Sequence, residues 1–252
     1  MDQFTSPYQS HLHSLETLNL IYQYDSFLDS LTNIADLGCG AGVDLNWWST
    51  LTTRDEVARP HNYNVYGVDK KLNLEPRFLE NDRVFPIEAD FEQEGVFSTP
   101  VDLIWCHDAF QFVKNPMQTL KNWNKLLVKD GMLVIIMPQL SGYVNNKHSQ
   151  RVYTGVVHSY NTLNMMYMLA LNGFDCKDAY FYRDPLDVIN PWIHIAVYKS
   201  SDPLDPDTTL LELASQNRLN PSAETCLKKY GHLRQEEIYT TWFDKDWYRL
   251  KS

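Results

Sequence analysis

A chain of 252 residues with 44% hydrophobic content, 15 Tyr and 7 Trp suits one substantial packed α/β domain with extensions, not a disordered polypeptide. Its formal charge of −10 argues against tight general binding to nucleic acid or anionic membrane, since both need clustered Lys and Arg. No apolar run approaches the roughly 20 residues that span a bilayer, and the N-terminus lacks the basic start and apolar core of a signal peptide.

The elements follow in chain order. Residues 8–31 carry apolar side chains near helical spacing (Leu12, Leu15, Leu18, Ile21, Phe27, Leu28), which predicts one or two helices. His11 and His13 read as exposed helix histidines, with Tyr8 and His11 as an alternative closing segment over a pocket. Ile34 to Leu37 is a short buried strand, followed by Gly38, Gly40 and Gly42 and then a helix over 43–51 with Trp47 and Trp48 toward its buried side. Such glycines allow positive φ and let a ligand approach bare backbone; Asp36, at the strand end, is expected to orient the turn by accepting its N–H groups. A polar stretch, 52–64, leads to a second strand, 65–68, ending in Asp69, where a carboxylate can accept both hydroxyls of a ribose.

A third strand is expected over 84–89 and a fourth over 101–106, which runs into His107 and Asp108. Asn115-Pro116 signals a helix start, with Asn as cap and Pro at the first helical position; Met117, Leu120, Trp123, Leu126 and Leu127 supply its buried face. Lys129-Asp130-Gly131 reads as the break before a continuous apolar fifth strand, 132–137, of a sheet covered on both faces. A polar loop spans 138–159, and a helix over 160–171 is capped by Asn172-Gly173. Its Met165, Met166 and Met168 read as core. A sixth strand is expected over 174–182 and a seventh over 192–198. Asp202-Pro203 and Asp205-Pro206 mark a linker, followed by short helices near 207–215, 221–230 and 233–243. Trp242, Phe243, Trp247 and Tyr248 imply that the tail docks. The boundaries are thus 1–31, an N-terminal helical cap; 32–200, the main domain; and 201–252, a helical extension. Cys39, Cys106, Cys176 and Cys226 are scattered with no C-x-x-C pair or zinc spacing; they predict buried thiols, a cytoplasmic protein and no metal.

Asp36-x-Gly38-x-Gly40-x-Gly42, followed in order by Asp69, Asp90, the His107-Asp108 loop and the closing hairpin, resembles class I S-adenosylmethionine (SAM)-dependent methyltransferases over residues 30–200. The resemblance implies a Rossmann-like three-layer α/β sandwich. Its seven-stranded, mostly parallel sheet has the order 3-2-1-4-5-7-6 and an antiparallel last strand. It implies SAM as cofactor, with Asp36, Gly38, Cys39 and Gly40 at its methionine part and Asp69 and Lys70 at its ribose. Asp90, Phe91, Cys106 and His107 then lie toward its adenine and sulfur. Asp90 has a second reading as a helix cap or loop acid. A nicotinamide fold would need G-x-G-x-x-G, but position 43 is Val.

Methyl transfer from a sulfonium needs alignment and exclusion of water, and a base where the acceptor carries a proton. His107 and Asp108 are the best-placed candidates, with His158 and Tyr160 after them; His107 has the alternative of presenting only its backbone. Asp/Asn-Pro-Pro-Tyr, Pro-Cys and a spaced Lys-Asp-Lys-Glu set are all missing. Transfer to N or O of a small molecule is therefore the expected activity, with nucleic acid and membrane disfavoured. The alternatives are a SAM-binding non-catalytic partner subunit, or a methyltransferase acting on protein or RNA.

Overall fold

Seven strands form one sheet in the order β3-β2-β1-β4-β5-β7-β6: β1 (Asn33–Leu37), β2 (Asn64–Asp69), β3 (Val84–Glu88), β4 (Val101–His107), β5 (Leu127–Pro138), β6 (Tyr180–Arg183) and β7 (Trp192–Tyr198). The computed structural model describes residues 11–24, 26–52, 61–138, 156, 158, 160–183 and 192–234. Strands β1 to β5 run parallel, and β7 is antiparallel to both its neighbours. The expected order and the reversed last strand are both present.

Parallel strands with helices on both faces must be apolar on both sides, and two buried clusters result. On one face, α1 (His11–Tyr24) and α2 (Val43–Thr50) pack Leu18, Ile21, Leu45 and Trp48 against Ile34, Leu103, Trp105 and Val134. The opposite face is covered by α4 (Pro116–Leu126), α5 (Thr162–Leu171), α6 (Leu210–Ser215) and α7 (Pro221–Tyr230). There Leu120, Trp123, Met165, Leu169, Leu213 and Leu227 meet Ala35, Leu37, Ile104 and Leu133. Met165 and Met166 are core residues as expected. A short α3 (Pro76–Leu79) follows β2. Among the described residues, no helix is long and apolar enough to cross a membrane.

Two boundaries differ from expectation. The fourth helix stops at Leu126, and β5 begins at Leu127, five residues before the apolar run. Val101 pairs with Leu127 while Leu103 pairs with Met132, so a bulge absorbs the polar Lys129-Asp130-Gly131 segment, with Asp130 left-handed at φ 60°. The sixth strand is confined to Tyr180–Arg183, since Phe174 and Cys176 make only isolated bridges, to Lys199 and Leu219. Residues 1–10, 53–60, 139–155, 184–191 and 235–252 lie outside the described residues; they hold Tyr8, most of the polar loops, most of the predicted 233–243 helix and the aromatic tail residues.

The predicted start of α4 is present: Asn115 Oδ1 accepts from Gln118 N at 3.2 Å, with Pro116 in the first turn. Replacing a capping Asn by Ala removes one acceptor for otherwise orphaned helix N–H groups. Asn115→Ala is expected to lower stability by about 1 kcal/mol, read as a fall of about 3 °C in thermal unfolding.

Candidate active site

The strand order reverses between β1 and β4, so the loops leaving them diverge and open a crevice at their C-terminal ends. The glycine turn lines it. Gly38 N and Cys39 N donate to Val68 O at 2.8 and 3.1 Å, and Gly40 N donates to Asp69 Oδ2 at 3.0 Å. The turn is therefore held by the end of β2, because the Leu37–Val68 register brings that carbonyl and the next carboxylate beside it. Asp36 does not accept the turn's N–H groups as expected; its Oδ2 is buried with no hydrogen-bond partner among the described residues. Gly38 (φ +84°) closes the crevice floor, where an added Cβ would lie 2.3 Å from Ala109 Cβ. Gly40 (φ +51°) faces open space, with nothing within 4 Å of an added Cβ.

A cluster of carboxylates sits below the turn. Asp36 is 2% exposed and Asp44, in the first turn of α2, is 4% exposed. Burial pushes the Asp36 carboxyl well above the ordinary aspartate range, and the charges of Asp44 and Asp69 add to that. Asp44 has better company. Its Oδ1 accepts from Ser14 Oγ at 2.8 Å, and its Oδ2 accepts from Trp105 Nε1 at 2.8 Å and lies 3.0 Å from His107 Nδ1.

At the other end of the crevice, Lys70 Nζ bridges Asp90 (3.3 Å) and Glu92 (3.0 Å) and stands 6.0 Å from the Phe91 ring centre. Partial burial pulls its ammonium down, but hydrogen bonds from Glu92 and then Asp90 outweigh this and raise it above the ordinary lysine value. Asp90 Oδ1 also accepts from Glu92 N at 3.1 Å, so the loop-acid reading describes its present contacts. Glu92 reaches further, accepting from Lys114 N at 2.8 Å, which ties the β3 end to the β4–α4 loop.

The remaining candidates separate. His107 is buried at the end of β4, beside the acid cluster. Asp108 is left-handed (φ 51°) and accepts from Gln111 Nε2 at 2.6 Å, an arrangement that shapes the loop. His158 Nε2 lies 3.1 Å from Lys114 O. Cys106 faces the opposite apolar cluster, fully buried, and burial pushes its thiol up; Cys39 is raised by burial and by Asp36. Tyr160 packs on Phe110 with ring centres 5.3 Å apart, and burial raises its phenol.

The sequence reading missed Asp44 and Glu92. An acid in a helix's first turn looks like dipole compensation, and nothing in the spacing announces its partner 63 residues away. His13 is not an exposed helix residue either: it stacks on Trp192 at 4.3 Å and meets His194 edge-on at 5.7 Å. Thr17 Oγ1 lies 2.6 Å from His194 Nδ1, and burial, with His13 and His107 nearby, holds His194 well below the usual histidine value. The side chain of His11 lies outside the described residues.

Residues 35–135 match a family model described as a methyltransferase domain. These residues carry a methyltransferase domain. The match begins one residue before Asp36 and ends within β5, so it contains the glycine turn, Asp69, Asp90 and the His107 loop. The methyltransferase domain is also similar to malonyl-[acyl-carrier protein] O-methyltransferase 2 of Coxiella burnetii, at 28% identity over 118 residues, 47% of this chain and 46% of that protein. The chain thus spans about half the length of the curated relative it matches. Among solved structures, the plantazolicin methyltransferase BpumL, in complex with a pentazolic desmethylPZN analogue and S-adenosylhomocysteine, superposes with a TM-score of 0.55 at 16% identity, covering 78% of this chain and 86% of that one. Phosphoethanolamine N-methyltransferase 2 of Haemonchus contortus, with phosphomonomethylethanolamine and S-adenosylhomocysteine, gives 0.54 at 15% identity, covering 74% of this chain and 53% of that one. At such identities these two likenesses show the fold.

Proposed function

We propose that this methyltransferase domain transfers a methyl group from SAM to the nitrogen or oxygen of a small-molecule acceptor in the cytoplasm. The observation that carries this reading is the crevice at the β1/β4 switch point. There Gly40 offers open backbone and the buried Asp36 has an oxygen with no hydrogen-bond partner among the described residues. A cationic ligand group such as an α-ammonium would give that buried oxygen a partner. We assign Asp69, beside Gly40, to the ribose hydroxyls, and Phe91 with Asp90 to the adenine. Lys70 and Glu92 then brace that end, Gly38 and Cys39 provide the turn, and Cys106 contributes backbone only.

Bound there, SAM supplies a methyl group already activated on sulfur. The chain's own part is to hold donor and acceptor in line, exclude water, and remove a proton from an amine or hydroxyl acceptor. His107 is the candidate for that proton. Asp108, engaged with Gln111, and His158, beside Lys114, shape the rim. An oxygen acceptor is in keeping with the similarity to malonyl-[acyl-carrier protein] O-methyltransferase 2, and a nucleic-acid acceptor is disfavoured by the charge of −10.

Calorimetry with S-adenosylhomocysteine tests the cofactor site. The expected result is binding to the wild type and a loss of about 100-fold in Asp69→Ala, since two hydrogen bonds to a charged group are worth about 3 kcal/mol together. Absence of heat with the wild type overturns the reading. A methyl-labelled donor, offered with a panel of amines, phenols and carboxylic acids, tests turnover. Binding without transfer to any of them favours the non-catalytic partner-subunit alternative.

A further inference from the structure

Asp44 is the second residue of α2, yet its carboxylate turns into the sheet and meets donors from two other elements. Ser14 of α1 takes Oδ1, while Trp105 and His107 of β4 share Oδ2. The two β4 donors are two residues apart and so on one face of the strand, which lets one oxygen span both. The Ser14 and Trp105 donors and the N-terminal end of a helix favour the ionised carboxylate. An ionised carboxylate only accepts, so Nδ1 of His107 must carry hydrogen toward Oδ2, and in neutral imidazole the lone pair is left on Nε2.

We propose that Asp44 is a positioning residue: it fixes the His107 ring with hydrogen on Nδ1, so that Nε2, buried in this structure, is the nitrogen that takes the proton of an acceptor that reaches it. The proposal rests on the reading of His107 as the base. It follows the logic by which a buried aspartate sets the tautomer of a histidine base in hydrolases, here assembled from a helix N-terminus and a strand end. Other groups face the pair from every packed element. Asp36 stands on β1, His13 on α1 and His194 on β7, with the Trp192 ring centre 5.8 Å from that of His107.

The test is long-range ¹H–¹⁵N NMR of the full chain labelled at histidine, with His107 assigned from its missing signals in His107→Gln. In the wild type, neutral His107 is expected with hydrogen on Nδ1. Asp44→Asn keeps the shape and an acceptor oxygen but removes the charge. It is expected to lower the His107 titration midpoint by about one pH unit or more, a tenfold loss of proton affinity. In Asp44→Ala the expected change is a shift of hydrogen toward Nε2. An unchanged midpoint in Asp44→Asn, or hydrogen on Nε2 in the wild type, overturns the proposal; should the alanine variant not fold, the asparagine variant decides alone. Calorimetry with S-adenosylhomocysteine on the same samples keeps the two levels apart. If the wild type does not bind, the methyltransferase reading falls whatever His107 does. If it binds while the midpoint stays fixed, only the role of Asp44 falls.

Discussion

Gly40→Val is expected to abolish S-adenosylhomocysteine binding in a protein that still folds, whereas Gly38→Ala, although it adds one carbon, is expected to damage the fold itself. Both glycines have positive φ, but their surroundings are opposite. At Gly40 the backbone lies in the left-handed region, which costs an ordinary residue about 1–2 kcal/mol and β-branched valine the upper end of that or more, and the new side chain enters open space. Thermal unfolding should fall by about 6 °C or more, while binding weakens by at least about 100-fold, because the added carbons occupy the cradle. At Gly38 the same backbone penalty is joined by a contact of 2.3 Å with Ala109 Cβ. That atom is fixed to the backbone of the β4–α4 loop, so no rotamer relieves the overlap and the loop has to move, for a total of about 3 kcal/mol or more. Gly38→Ala combined with Ala109→Gly removes the overlap and should recover the packing part, leaving the backbone part, which a double-mutant cycle separates. A Gly40→Val protein that binds as tightly as the wild type would place the ligand elsewhere.

The sheet was readable because its central strands announce themselves. Ile34 to Leu37, Leu103 to Cys106 and Met132 to Met137 are apolar at every position or nearly so, as strands covered on both faces must be. The glycine turn and Asp69 were legible for a related reason, since close backbone approach leaves few residue choices. Where the chain is polar, it misled. Lys129-Asp130-Gly131 looks like a break between helix and strand, yet the ladder tolerates it through a bulge. Contacts between distant segments were silent. Asp36 looked like the residue that holds the turn, but parallel pairing with β2 delivers Val68 O and Asp69 to those N–H groups first. Asp44 and His107 are each ordinary in their own segments, and their pairing exists only once α2 lies over β4.

Asp36→Asn is expected to stabilise the protein at neutral pH while weakening SAM binding. Burial, Asp44 and Asp69 all raise the Asp36 carboxyl, so the folded state holds the proton more tightly than the unfolded chain, whose aspartates titrate near about 3.9. Where the folded state binds more protons, stability falls as pH rises. The wild type therefore loses stability from about pH 4 upward until its folded carboxyl has ionised, and the asparagine variant does not. Below about pH 4 the two should converge; at pH 7 and above, urea unfolding should show the variant as the more stable. The charge that destabilises the protein without ligand is what a cationic ammonium meets, so removing it should weaken binding by tenfold or more, the worth of one hydrogen bond to a charged group at about 1.5–3 kcal/mol. The two effects are linked through the proton. Binding a cation beside Asp36 favours its ionised form, so wild-type binding should release protons at pH values below its raised pKa. Binding heats for the wild type should then vary with the ionisation enthalpy of the buffer, and those for Asp36→Asn should vary less. Equal buffer dependence in both proteins would mean that the ligand's cation does not meet Asp36, and the site's unsupplied oxygen would need a different partner.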